Sequence, residues 1–222
     1  MSSVIEPVPT PEVLVRGEAV VEAPPELADV GAVVRVRARD RETALERCRA
    51  AQERVVAVAT AAGEAVESVE TTAVSVHLEV RDRRAPGEPV ASVVTRLAVR
   101  PDAVGELVVA LGRLDDVEVS GPSWRLRRDS PWIERARLDA VRDAITRAQQ
   151  YAAAFGAELT ALLEVRDVGA AGGLRVAAAM APMARFEESE LHLDLTPPRQ
   201  EVHGAVEVRF AMSEPDREVF RA

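Results

Sequence analysis

The chain has 222 residues, 47% of them hydrophobic and 29% charged, the balance of an ordinary globular protein rather than a disordered one. Its formal net charge of −9 repels phosphate backbones unless a basic patch is segregated, which argues against nucleic acid as a partner. The length suits one large domain with one substantial core.

All 28 basic residues are arginine, and lysine and asparagine are absent. Arginine could be selected for bidentate recognition of carboxylate or phosphate. A GC-rich genome explains the pattern better, because isoleucine is also scarce and binds no anions. Cys48 is the single cysteine, so no intrachain disulfide forms. It falls on the apolar stripe of a predicted helix, as a small buried hydrophobe does.

Residues 1–12 are proline-rich and read as a flexible arm. They carry neither a basic n-region nor an apolar h-region, and no apolar run in the chain approaches the ~20 residues of a membrane helix. The expected location is cytoplasmic, with no membrane span. From Val13 the pattern alternates. Val13, Val15, Gly17, Ala19 and Val21 share one face, and Arg16, Glu18 and Glu22 the other, so this is a half-buried strand. Pro24 and Pro25 stop it. In the next strand Val30, Ala32, Val34, Val36 and Ala38 turn inward, and Arg35, Arg37 and Arg39 turn outward.

Asp40 offers an N-cap. Apolar residues from Ala44 to Ala62 recur at helical spacing, and Gly63 stands at C′, which predicts a helix over 41–62. A third strand is expected over 67–80, with Val74, Val76, Leu78 and Val80 inward. The polar turn 81–89 joins it to a fourth, 90–99, as a hairpin. Pro101 opens a short helix carrying Val104, Leu107, Val108 and Leu111. A fifth strand begins at Val117 and ends near Arg128.

Ser130 and Pro131 supply the N-cap and first position of a second long helix, with Leu138, Val141, Ile145, Ala148, Ala152 and Phe155 on one face and Gly156 at its end. A sixth strand covers 159–168. Residues 169–199 are irregular, with a glycine-rich start, then Met180, Met183 and Phe186. A last strand, 201–212, alternates through Val202, Val206, Val208, Phe210 and Met212. The tail 213–222 is polar.

These elements predict an α+β fold: one mostly antiparallel sheet of about seven strands, with two long helices and one short helix on one face. Residues 13–212 form the expected single domain.

The order and spacing of several segments resemble the SIMPL-domain family, the YggE-like group of bacterial proteins. The opening VLVRGEAVVEAPPELADV carries Gly17 and Pro24. The helix ending at Gly63 is followed by Val69-Glu70-Thr71-Thr72, and Pro89 to Arg100 is similar to the family's next strand. The helix ARLDAVRDAITRAQQYAAAFGAEL carries Ala136, Ala140, Ala144, Ala148, Ala152 and Gly156, and Gln200 to Met212 resembles the closing strand. The chain departs from the family in having Pro24-Pro25 for Pro-Asp, in lacking an aromatic near the fourth strand, and in showing no secretion signal. The resemblance implies a homo-oligomer acting through protein–protein contacts, with a link to stress tolerance and no shared catalytic residues.

No catalytic motif emerges from the residues themselves. His77, His192 and His203 stand at no ligand spacing, which gives no metal site. Gly169 to Gly173 lacks the Lys-Ser/Thr of a phosphate cradle. Ser123 stands outside any G-x-S-x-G elbow. The expectation is a non-enzymatic, self-associating scaffold without a cofactor. Its partner is a second copy or an unidentified protein.

Candidate interface residues are Arg35, Arg37 and Arg39 on the outer sheet face, and Met180, Met183 and Phe186 in the irregular segment. On the other side, Glu79 and Glu207 also point outward, so the arginine stripe could be an ordinary solvated face. The alternative function is a small-ligand or protein-binding module, using a pocket near Trp124 and Trp132 or the arginine face.

Overall fold

In the computed structural model, residues 10–80, 87–168, 193 and 195–221 are described. The strands are β1 (Glu12–Ala23), β2 (Leu27–Arg37), β3 (Val66–Glu79), β4 (Glu88–Val99), β5 (Val117–Arg125), β6 (Leu159–Asp167) and β7 (Gln200–Met212). The helices are α1 (Arg41–Ala61), α2 (Val104–Gly112) and α3 (Pro131–Ala154), with single 3-10 turns between some elements.

The strands form two antiparallel sheets, not the single sheet of seven that the strand count suggested. One has the order β1-β7-β6 and the other β3-β4-β2-β5. The described parts of Met1–Ala23, Arg128–Ala177 and Glu201–Ala222 make one compact unit around the three-stranded sheet. Those of Pro24–Arg127 and Ala178–Gln200 make the other. A strand pattern records which face is apolar but not which strands share hydrogen bonds, so one sheet and two sheets look alike in sequence.

In the four-stranded unit, α1 and α2 share a face of the sheet. Val30, Ala32, Val34 and Val36 of β2 meet Cys48, Ala51 and Val55 of α1 and Val104, Leu107 and Leu111 of α2. Asp40 caps α1 through its Oδ1, which accepts from the Thr43 amide at 2.8 Å. That bond, with the Thr43 hydroxyl, holds the carboxyl below the usual carboxylate range. Gly63 ends the helix region at φ +59°, a conformation that costs glycine little.

In the three-stranded unit, the long helix keeps only part of the expected face. Val141, Ala148 and Ala152 do pack inward, but Leu138, Ile145 and Phe155 are 38–49% exposed, and Ala136, Ala140 and Ala144 are buried in their place. The cause lies in the sheet. A Cβ on Gly17 of β1 would stand 2.1 Å from the Ala140 carbonyl oxygen, and one on Gly204 of β7 would stand 2.1 Å from that of Ala136. The helix backbone rests almost directly on the strands, and alanine is the largest residue that fits beneath it.

Each unit contains the same wiring. A strand, a helix and two strands follow in that order, and the first strand pairs with the last, although in the three-stranded unit Pro24–Arg127 is inserted between the first strand and the helix. This gives β2-α1-β3-β4 with the order β3-β4-β2, and β1-α3-β6-β7 with the order β6-β7-β1. The C-terminal tail, expected to be merely polar, holds a 3-10 turn at Arg217–Arg221, and Phe220 stacks on Phe155 with ring centroids 6.2 Å apart.

Candidate functional site

The arginine stripe of β2 does not act as one group. Arg35 and Arg37 both reach Glu79 of β3, and Arg37 Nε lies 3.3 Å from Glu88 of β4. That Nε is buried and has no aligned acceptor, so its contact with Glu88 is an ion pair without a hydrogen bond. The Arg37 guanidinium holds the Glu79 carboxyl below its ordinary range, with Arg35 adding to the effect. Arg39 stands apart, 90% exposed and 3.0 Å from Asp40. Two of the three cations are therefore matched by acids of their own sheet. Pairs of this exposure contribute little to stability.

The two tryptophans belong to different units. Trp124, on β5, is half-buried against the four-stranded core, and Trp132 sits in the first turn of α3. Ser130 caps that turn, accepting from the Trp132 amide at 3.4 Å. Met180, Met183 and Phe186 lie outside the described residues, as does His192. His77 and His203 are exposed, the latter 3.5 Å from Glu201.

Cys48 borders a cleft of about 300 Å³ between α1 and the β3-β4 hairpin. Leu45, Val74, Val76, Ala91 and Val93 make most of its wall apolar. Gln52, which lines it, is held by the buried Thr95: Gln52 Nε2 donates to Thr95 Oγ1 at 2.9 Å, and Thr95 Oγ1 donates back to Gln52 Oε1 at 3.2 Å. Burial pushes the Cys48 thiol up, and Asp116 adds to it, so this cysteine is held in the unreactive thiol form. Among the described residues no group of three or more His, Cys, Asp or Glu could hold a metal ion.

The feature that sequence reasoning missed is at the sheet edges. Val74, Leu78 and Val80 were expected inward, yet they are 54–64% exposed. Val74 pairs with Val93, and Val93 with the buried Val34, so Val74 does face the helix side. It stays exposed because α1 lies over β2 and β4 and covers β3 only in part, meeting Val66 and Val76 but not Val74. The same happens on β6. Leu162 lies opposite the buried Phe210 and Val165 opposite the buried Val208, but they are 60% and 54% exposed.

The other two edges are blunted. Pro122 interrupts β5, where the pairing with β2 also shifts register. On β1 the Glu18 amide donates to Asp143 Oδ2 of α3 at 2.9 Å, which holds the Asp143 carboxyl below its ordinary range. Arg147 adds to that shift. Thus, among the described residues, β3 and β6 present uncovered apolar side chains on the helix side of their sheets, whereas the exposed Leu14 and Val20 of β1 lie on the face away from α3. The recurring valines and threonines from Val66 to Val76 were the available signal; the strand carries Glu67, Glu70 and Glu79 but no proline to guard its edge.

Two antiparallel sheets, each roofed by helix on one side and each ending in an open strand, define an α+β domain of internal two-part design. The family model described as SIMPL, Protein of unknown function (DUF541), matches residues 13–210, and the chain belongs to that family. No curated protein matches the chain. Among the described residues no helix is long and apolar enough to cross a membrane.

Proposed function

We propose that the protein is a non-enzymatic, self-associating scaffold that acts through protein–protein contacts. The observation that carries this reading is the pair of open edges. β3 is a strand of 14 residues whose outer edge pairs with no strand among the described residues, and Val69, Val74 and Leu78 along it are exposed. β6 repeats the arrangement with Leu162, Leu163 and Val165. Edges of this kind are templates for another strand, and adding one satisfies backbone groups and covers apolar surface together. Light scattering on the eluting protein over a hundredfold concentration range tests the reading. A mass above one chain that rises with concentration is expected; one-chain mass at every concentration refutes it.

A second reading, a binding module for a small uncharged molecule, is favoured by the α1–β3 cleft. Its exposed wall is mostly apolar, and of the polar residues that line it Gln52 is tied to Thr95, Ser75 to Ser92 and Arg49 to Glu53, so it asks for no charged ligand. A thermal-shift series of short alkanols tests it. Saturable stabilisation that is lost in Ala91→Phe, a change that fills the cleft, is the expected result.

A further inference from the structure

We infer that self-association joins β3 of one copy to β6 of a second copy, head to tail, and not like edge to like edge. The inference rests on the self-association reading above. Its first support is topological. β3 and β6 hold the same place in the two βαββ units, each being the strand after the helix and the outer strand of its sheet. An antiparallel pair formed from equivalent strands relates the two flanking units by a local twofold, as in an ordinary strand-paired dimer. Helix-covered faces then continue across the junction.

The second support is the placement of apolar groups. Val74, Val76 and Leu78 on β3, and Leu162 and Val165 on β6, face the helix side of their own sheets. Pairing the two strands sets these rows side by side, with each row completing the cover that α1 or α3 leaves unfinished. The cleft beside Val74 gives an incoming leucine a place to enter. Burial of Leu162 there removes more apolar area than a β3–β3 contact between valines.

The third support is charge. β3 carries Glu67, Glu70 and Glu79 and no arginine. Arg127 pairs Glu67, and Arg35 and Arg37 pair Glu79, but an antiparallel β3–β3 pair centred on Glu70 would set that acid against its own copy, which is destabilising. β6 brings Arg166 along with Glu164 and Asp167, so a mixed pair carries both signs. Each copy offers one edge of each kind, so the contact is heterologous and can propagate.

Two single-edge variants test this, each placing a charge at an exposed position. Val74→Lys blocks β3, and Leu162→Lys blocks β6. Circular dichroism confirms that each remains folded. Each variant alone is expected to run at one-chain mass, because every junction needs one edge of each kind. Mixed in equal amounts, they are expected to give a complex of two chains and nothing larger, because only the intact β3 of one and the intact β6 of the other remain. Leu162→Lys that still forms dimers alone, or a mixture that stays at one-chain mass while wild type assembles, overturns the head-to-tail pairing and leaves self-association standing. Wild type at one-chain mass throughout removes both.

Discussion

The two units share one wiring diagram and reach a packed interior by opposite means. In the four-stranded unit, α1 and α2 stand off the sheet and the gap is filled by Val30, Val34, Leu97, Leu107 and Leu111. In the three-stranded unit, Gly17 and Gly204 remove the side chains beneath α3, and the helix settles onto the strands through alanine. The difference shows that topology does not set the distance between layers. That distance follows from which partner gives up its Cβ. A close-set helix buries little apolar volume per residue, and its larger side chains are displaced to the flanks.

The sharpest way to break this comparison is to restore a side chain under α3. Gly17→Val places methyl groups where the Ala140 carbonyl and the Ala144 amide now lie, at 2.1 and 2.6 Å from a Cβ. Backbone cannot rotate away as a side chain does, so the helix must lift. The expected loss is about 3 kcal/mol or more, read as a fall in the urea midpoint. A midpoint unchanged within error means that α3 does not sit as described.

The second comparison sets one helix against the other. Val55 of α1 is fully buried, whereas Ile145 of α3 is 38% exposed. Val55→Ala is expected to cost about 2 kcal/mol, as lost burial plus a residual cavity. Ile145→Ala, though it removes more atoms, is expected to cost under about 1 kcal/mol. Equal effects in thermal melts would mean that α3 buries its larger residues after all.

These two helices also show how far the sequence can be read. Helix existence was legible for both from periodicity, with Asp40 and Ser130 placing the starts and Gly63 and Gly156 the ends. The strands were legible from alternation, and the β3-β4 hairpin from its polar turn. The buried face of α3 was legible only in part: Val141, Ala148 and Ala152 pack inward as expected, but Leu138, Ile145 and Phe155 outweigh alanine in any hydrophobic pattern and drew the face toward themselves. The signal that decides it lies in Gly17 and Gly204, 187 positions apart in the chain. Likewise, alternation gave Val74 and Leu78 the correct side of β3 but could not say that α1 falls short of them. The arginine stripe was legible as an outward row, with Glu79 already visible as a neighbour. Its division into a paired set and a separate Arg39–Asp40 contact needed coordinates.

A smaller effect is expected where β1 is guarded. Asp143→Ala removes the acceptor of the Glu18 amide and should cost about 1 kcal/mol at neutral pH. The sign of its pH dependence follows from the lowered carboxyl. Its contribution is present above the ordinary value of 3.8 and is lost as pH falls through the lower folded value. The gap in melting temperature between wild type and variant should therefore hold from neutral pH to about pH 4 and close below it. A gap that widens in acid would contradict this assignment. Exposure of the β1 edge should also raise the tendency to associate, which the same samples report by light scattering.

The smallest effect is expected at Gly31, the glycine of β2 that most resembles Gly17 in sequence context, since each sits within a valine-rich strand. A Cβ there would meet Ser120 Oγ at 2.5 Å, and no backbone atom closer than 3.8 Å. A serine hydroxyl swings away by rotating about χ1, at little cost. Replacing glycine by alanine also narrows the unfolded ensemble, which favours the folded state by about 0.4–1 kcal/mol. The two terms oppose each other, so Gly31→Ala should fall within about 0.5 kcal/mol of wild type. The contrast with Gly17 then isolates the cause, because both substitutions add a Cβ to a strand glycine and only one meets a helix backbone. If Gly31→Ala proves as damaging as Gly17→Val, intolerance of side chains is a property of these strands in general, and close approach of α3 is not the reason for its alanine face.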